Sequence, residues 1–423
     1  MIYLCFYEDD AVGRLAPIIE TRSVFQLRLG ARTIHRRIWD KLGRPSRAFH
    51  VRPHLADHIS SQYNVPVNTL PEGVSIMFIN GRLVSAPAAF YSTLLEVMRT
   101  EKEARVFMQG DEMVAAWVPN APADMLNRDS ITREVIGEAK EEALDKTVVL
   151  LHHLWNLLDY LHDALLDDVQ DLIRFIPSLD RSNSQIDHHS KIINPSDIYL
   201  ARNAQVAPGA ILNAAEGPIY IDSGARIMEA ALVKGPVYIG PQSVVKAQTN
   251  IEQSAIGPVC KVAGEIHSAI FQSYSNKAHA GFVGNSYIGS WCNLGADTNT
   301  SNLRNDYAPV TLYSEKLGIY QPTGRQFLGL IMGDHSKCGI NTMFNTGTLT
   351  GVFCNLYGSG FQSRYIPSFS WGSPESGLEP YRIDKAIAVA ERVMARRNIE
   401  LAQSEQQLLQ RIFSERHEKL IVQ

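Results

Sequence analysis

Aliphatic residues recur at a stride of six along one stretch of this chain: Ile221, Ile227, Val233, Ile239, Val245 and Ile251, with small or polar residues in most of the gaps. A stride of six fits neither the period of a helix nor the alternation of an ordinary strand. It fits a chain that turns a corner every six residues, three corners closing one triangular coil. The inward residue has to be aliphatic because it stacks on its equivalents in the coils above and below, so the pattern is a buried ladder and not a catalytic signature. The beat slips once. Ile256-Gly257 and Val262 resume it in a new phase, Val283-Gly284, Ile288-Gly289 and Leu294-Gly295 continue it, and Met332-Gly333 and Cys338-Gly339 show it again. Glycine after the buried residue is expected where a side chain would crowd the corner.

The rest of the chain is organised around this repeat. Met1 to Tyr7 reads as a short buried strand followed by a polar turn, Glu8 to Gly13, and Val74 to Ile79 as a second strand ending in Asn80-Gly81-Arg82. From Ser130 to about Ile176 the pattern predicts helix: Ser130 as a cap, a charged run from Arg133 to Lys146, then Val148, Leu151, Leu154, Leu158 and Leu161 at threes and fours. Residues 177–195 are polar and turn-rich. The repeat is expected from near Ile198 to about Trp371, broken from Arg304 to Arg325, where the beat is absent and a loop is expected. Ile383, Ala386, Ile387, Ala390, Val393 and Met394 predict an amphipathic helix, with a second at Leu401 to Ile412; the pair is expected to cap the open end of the coils. The domains expected are therefore residues 1–180, a linker at 181–197, the repeat at 198–375 and a helical cap at 376–423.

At 423 residues the chain has room for two domains with full cores. A net charge of −4 without a Lys/Arg-rich block argues against nucleic acid as a partner. No segment is long and apolar enough to span a bilayer, and the N-terminus, acidic after a short apolar run, is not a signal peptide; no membrane partner and a cytoplasmic location are expected. The five cysteines contain no C-x-x-C pair, and the four inside the repeat, Cys260, Cys292, Cys338 and Cys354, read as small apolar fillers. No metal site is expected of the histidines. His50, His54 and His58 share a spacing that Pro53 interrupts, and the adjacent pairs His152-His153 and His188-His189 cannot share a helix face.

Within the repeat, Ser275-Asn276-Lys277-Ala278-His279 is followed by Gly289, by Asn293-Leu294-Gly295-Ala296 and by Asn302. Here the chain resembles the bifunctional N-acetylglucosamine-1-phosphate uridyltransferase/glucosamine-1-phosphate N-acetyltransferases, in a diverged bacterial branch, over residues 213–371. The resemblance implies an α/β nucleotidyltransferase-like (Rossmann-like) N-terminal domain, here reduced, and a C-terminal left-handed parallel β-helix with terminal helices. It also implies a homotrimer whose active sites lie between subunits, using acetyl-CoA, a sugar phosphate and a nucleotide toward UDP-N-acetylglucosamine.

N-acetyl transfer needs an amine lone pair, hence a base that titrates near neutrality, and donors for the oxyanion. By resemblance His279 is that base, Asn293, Asn302, Glu265 and Lys277 are on the acceptor side, and the backbone at Ala296 meets acetyl-CoA. His267 and Phe282 stand where the family has a lysine and a tyrosine that touch the acceptor, which leaves the amino sugar open: a hexosamine 1-phosphate first, another amino sugar or sugar nucleotide second. In the N-terminal domain Arg14, Arg22, Arg28 and Asn80 are the candidates for the nucleotide, cations and a loop near phosphate being the physical requirement. The family places a Mg²⁺-binding aspartate where this chain has Asn80, and an amide oxygen is the poorer ligand for a hard cation. Two other readings stay open: nucleotidyl transfer with the solenoid as a trimer scaffold, and a non-catalytic regulator that binds a sugar nucleotide.

Overall fold

The computed structural model describes residues 1–175 and 185–421. The part of the expected linker at 181–184 lies outside the described residues. The chain divides into two compact units, one of residues 1–27, 32–154 and 402–412, the other of the remaining described residues. The helices Asn156–Asp159 and Leu161–Leu172, expected in the first domain, therefore belong to the second unit.

The first unit is built on a six-stranded sheet in the order Ser46–His50, Ile2–Tyr7, Ser75–Asn80, Glu112–Val118, Arg105–Gln109, Lys140–Ala143. The first three strands run parallel and Glu112–Val118 runs antiparallel to its neighbours. Ile2–Tyr7 is central and buried on both faces, as a strand between parallel neighbours must be. Cys5 and Tyr7 join one core cluster, while Phe6 packs among Phe25, His35 and Phe49. Of the helix expected from Ser130 to about Ile176, the described residues form the pieces Arg133–Ile136, Asn156–Asp159 and Leu161–Leu172, while Val149–Leu150 is a strand. Lys140–Ala143, read as helix for its charges, is instead an edge strand parallel to Arg105–Gln109. Its charges pair with neighbours, Lys140 with Glu103 at 2.9 Å and Glu142 with Arg105 at 3.7 Å, and charge on an exposed edge discourages further strand pairing.

The second unit is the left-handed parallel β-helix, its three faces formed by sheets of eight, nine and ten strands that run parallel except for the last strand of the ten. All six residues of the opening stride are in its core, two on each face: Ile221 pairs with Ile239, Ile227 with Val245, and Val233 with Ile251. Cys260, Cys292, Cys338 and Cys354 pack in the same core as free thiols, apolar fillers as the sequence suggested. The first strand of the stack is Lys191–Ile193, pairing with Ile211–Asn213, so the coils begin ahead of Ile198.

The glycines and the corners have different tasks. A Cβ on Gly257 would lie 2.0 Å from the Gln272 carbonyl oxygen, and one on Gly295 2.2 Å from that of Gly339, so these glycines are required by the coil stacked against them. The left-handed backbone that turns one corner is adopted by other residues, Tyr274, Trp291, His335, Phe353 and Phe369, with φ from 53° to 60°. Their rings stack up the edge: Tyr274 on Trp291 at 4.2 Å, His335 on Phe353 at 4.4 Å.

The beat-free segment contains an antiparallel hairpin, Thr311–Ser314 with Ile319–Pro322. At the end of the stack, Gly377–Pro380 pairs antiparallel with Ser370–Ser373 and occupies that edge. The helix expected as an end cap, Ile383–Ala395, lies instead along the side of the coils, where Val389 and Val393 line a cleft with coil residues. The last helix is Gln403–Ile421.

Candidate active site

His279 stands at a corner of the β-helix, between the strands Asn276–Lys277 and Phe282–Gly284, with its side chain exposed. Lys277 does not face a substrate as the resemblance implied. Its register partner is Val262, an inward residue, and Lys277 is 0% exposed. From the interior its Nζ donates to the His279 carbonyl at 2.6 Å and to the Ala280 carbonyl. Burial pushes its pKa down to about 8. Gly281 completes the turn with φ +118°; a Cβ there would meet the Thr298 carbonyl oxygen at 2.2 Å and Lys277 Nζ at 3.1 Å. The ammonium and the glycine thus fix the backbone that carries His279.

A cleft of ≈ 670 Å³ opens beside this corner, lined by His279, Asn293 and Ala296 together. Three of the sequence-derived residues therefore meet in one space. Besides His279 the cleft is lined by the cations Lys261, Lys337, Arg396 and Arg397 and, among the described residues, by no carboxylate. The outward column of one face explains the first two: Lys261, Asn276, Asn293 and Lys337 stack in register from coil to coil. The arginines follow the helix Ile383–Ala395, and Arg397 Nη2 donates to Asn276 Oδ1 at 3.2 Å. Burial and the neighbouring Arg397 and Lys246 lower the Lys261 pKa, and burial brings Lys337 down to about 8 while its Nζ donates to the His335 carbonyl at 2.8 Å. Stacked Tyr274 and Trp291 also line the cleft.

Glu265 and Asn302 are not among the lining residues. They sit on the adjacent face, where Glu265 pairs with Phe282 and His267 with Gly284. Glu265 is exposed, while Asn302 Nδ2 donates to Asn285 Oδ1 at 2.7 Å. The cleft residue Asn293 and the exposed Glu265 thus occupy two faces that meet at the His279 corner.

In the first unit the loop after Ile2–Tyr7 carries two carboxylates, Glu8 and Asp9, ahead of the short helix Asp10–Leu15. Residues 4–174 match the family model described as sugar nucleotidyl transferase. Among curated proteins the chain is 33% identical over 135 residues to a bifunctional GlmU protein of Methanocaldococcus jannaschii, covering 32% of this chain and 30% of that one. It is 30% identical over 138 residues to a bifunctional sugar-1-phosphate nucleotidylyltransferase/acetyltransferase of Sulfurisphaera tokodaii, covering 32% and 33%. An uncharacterized acetyltransferase, YaiX, of Escherichia coli O6:K15:H31 is 28% identical over 170 residues, covering 40% of this chain and 73% of that protein. The chain spans about a third of the length of the two bifunctional relatives. The resemblance read from the sequence holds at this level: a sugar nucleotidyl transferase-like segment in a chain similar to bifunctional nucleotidyltransferase/acetyltransferases.

Of the residues expected to hold the nucleotide, Arg14, Arg22 and Asn80 belong to the first unit and Arg28 to the second. Arg14 is exposed at the end of the helix Asp10–Leu15, and the Arg22 carbonyl accepts from Arg52 Nη2 at 3.0 Å. Arg28 belongs to the second unit, where its Nε donates to the Gln272 carbonyl at 3.1 Å and its backbone N–H to Gln272 Oε1 at 2.8 Å. Asn80 is fully buried and does not suit Mg²⁺. Its Oδ1 accepts from the Arg82 N–H at 3.0 Å, and its Nδ2 donates to Asp9 Oδ2 at 2.8 Å and the Met113 carbonyl at 3.0 Å. Hard-cation coordination asks for charged oxygen ligands, and the neutral Asn80 Oδ1 already accepts from the Arg82 N–H.

His50 Nε2 bonds the Arg128 carbonyl at 2.8 Å and His58 Nε2 bonds Gln62 Nε2 at 2.8 Å, both within the fold. His188 and His189 need a correction. They lie on a turn, not a helix, and with Asp187 their ligand atoms lie within 4.8 Å of one another. The helix-face argument against that pair fails because no helix forms there. Sequence reasoning missed Lys261, Lys337, Arg396 and Arg397. Stepping the coil repeat outward from Asn293 finds the lysines; nothing periodic points to the arginines.

Proposed function

We propose that the β-helix carries out acetyl-CoA-dependent N-acetyl transfer to an amino sugar, a hexosamine 1-phosphate, in the biosynthesis of UDP-N-acetylglucosamine, and that the working form is a cytoplasmic homotrimer. The observation that carries this reading is the single cleft that holds His279, Asn293 and Ala296 among four cations and no carboxylate. A phosphate-rich donor such as acetyl-CoA suits that lining, because cations held near a low-dielectric wall attract anions strongly. In the reaction the sugar amine attacks the thioester carbonyl while His279 takes its proton. The new C–N bond forms, the C–S bond breaks, and the proton passes to the departing thiolate. The exposed corner leaves His279 open to the donor along the cleft and to an acceptor held by the Glu265 and Asn302 face of a neighbouring copy. The acceptor-side residues lie outside the cleft, which suits a pocket completed by a neighbouring copy.

The test is release of free CoA from acetyl-CoA and glucosamine 1-phosphate by the purified full chain, with His279→Ala alongside. Turnover that falls by about 10²-fold or more in the variant, within the range for loss of a general base, supports the reading; a variant as fast as the wild type overturns it. A second reading rests on the family match of residues 4–174: nucleotidyl transfer in the first unit, with the β-helix as scaffold. Its signature is Mg²⁺-dependent pyrophosphate release from UTP and a sugar phosphate.

A further inference from the structure

The end of the strand Ser75–Asn80 and the loop after Ile2–Tyr7 lie beside each other at the carboxyl ends of paired parallel strands, the place where open α/β sheets take their ligands. In this chain the place is filled from within. Arg82 is 0% exposed; its Nε donates to Asp9 Oδ1 at 2.9 Å, its Nη2 to Glu112 Oε1 at 2.7 Å and to Asp9 Oδ2, and its Nη1 to the Leu151 carbonyl at 3.1 Å. Asp9 has no oxygen to spare: Oδ1 also accepts from the Ala11 N–H at 3.2 Å and Oδ2 from Asn80 Nδ2 at 2.8 Å. Beside it, the buried Glu8 carboxylate accepts from the Val24 N–H at 3.1 Å, the Arg52 N–H at 3.0 Å and Arg52 Nε at 3.0 Å.

The chemistry of each contact is that of a bound nucleotide. Backbone N–H groups at Ala11, Val24 and Arg52 point at anionic oxygens, as they do in a phosphate cradle. A cation bridges the oxygens of Asp9 and Glu112, as a divalent ion bridges carboxylate and phosphate. The anions, however, are Glu8 and Asp9, and the cation is a guanidinium. Burial works against the charge on Asp9, yet Arg82 outweighs it and holds the carboxyl below its usual range. Arg82 is tied to the Leu151 carbonyl behind it as well as to both carboxylates in front, so a metal ion would have to displace a buried ion that is already fully bonded.

We propose that the first unit carries in its own side chains the charges that a nucleotide and its metal would bring, Glu8 and Asp9 as the anions and Arg52 and Arg82 as the cations, so that this site takes up neither Mg²⁺ nor a nucleoside triphosphate. The unit is then a fold of the nucleotidyl transferase kind serving as support, and chemistry is confined to the β-helix.

Mn²⁺ is the probe, followed by the loss of its free-ion EPR signal as the full chain is titrated, with and without UTP. Wild type and Glu112→Gln are expected to give superimposable curves, and the loss of free ion with UTP present to equal that of a protein-free UTP blank plus the loss without UTP. Mn²⁺ held at the Asp187–His189 turn cancels in this comparison. One Mn²⁺ per chain that Glu112→Gln removes, or Mg²⁺-dependent pyrophosphate release from UTP, overturns the proposal. Arg82→Gln frees both carboxylates and is expected to gain Mn²⁺ uptake at least tenfold tighter than wild type; a folded Arg82→Gln chain that gains none overturns the claim that Arg82 holds the cation's place. If that variant does not fold, the comparison of wild type with Glu112→Gln decides alone.

Discussion

Lys277 occupies a position where the inward ladder of its face otherwise has Ile227, Val245 and Val262. A buried ammonium costs stability, and replacing a buried charge by an apolar side chain of similar volume is often neutral or stabilising. Lys277→Met is therefore expected to match or exceed the wild type in thermal stability while acetyl transfer slows by about tenfold or more through kcat, because the carbonyls of His279 and Ala280 lose their tether. The KM for acetyl-CoA should hardly move. The pH dependence gives a second check. The folded lysine titrates near 8 and the unfolded one near 10.5, so between those values the unfolded chain binds more protons and stability rises with pH. Below pH 8 the cost of burying the charge is present in full; above 10.5 it is gone. In urea titrations the wild type should gain on Lys277→Met across that window, by about 3 kcal/mol at most. Lys337 titrates in the same range but cancels in the difference. His279 was legible from its motif, whereas Lys277 was misplaced: its residue type suggested a substrate contact, and only its register with Val262 turns it inward.

At the scale of elements, the repeat was legible because burial recurs at a fixed stride, and the prediction there is severe. Ile256→Ala empties a fully buried ladder position and should cost about 2–5 kcal/mol. Gly257→Ala adds one methyl group yet should cost about 1–3 kcal/mol or more, since its Cβ would lie 2.0 Å from a backbone oxygen of the next coil. Chemical denaturation of the two variants checks both. The helix Ile383–Ala395 was legible as an amphipathic element, but not where it goes. Placed along the cleft, it brings Arg396 and Arg397 to the proposed donor, so their joint replacement by alanine should raise the KM for acetyl-CoA several-fold, more at low salt than at high, with kcat little changed. Lys140–Ala143 shows the opposite failure. Four charged or small residues carry no period of their own, and pairing with Arg105–Gln109 overrides local preference.

At the scale of the whole molecule, a site completed by a neighbouring copy makes a prediction that a single-chain site does not. His279→Ala and Glu265→Ala chains, each inactive alone, should recover part of the acetyl transfer activity when co-assembled, and sedimentation should find a trimer; two dead variants that stay dead on mixing count against a shared site. Legible along the chain were the β-helix, the inward ladder of its opening stride, the candidate residue His279 and the resemblance of the first unit. Those properties are local or periodic, so each residue's place follows from its neighbours along the chain. What needed the folded chain was the return of two arginines from beyond the last coil to the column of Lys261, Asn276, Asn293 and Lys337, and the place of Arg82 between Asp9 and Glu112. These meetings join segments far apart in the chain that no repeat links, so nothing local or periodic announces them.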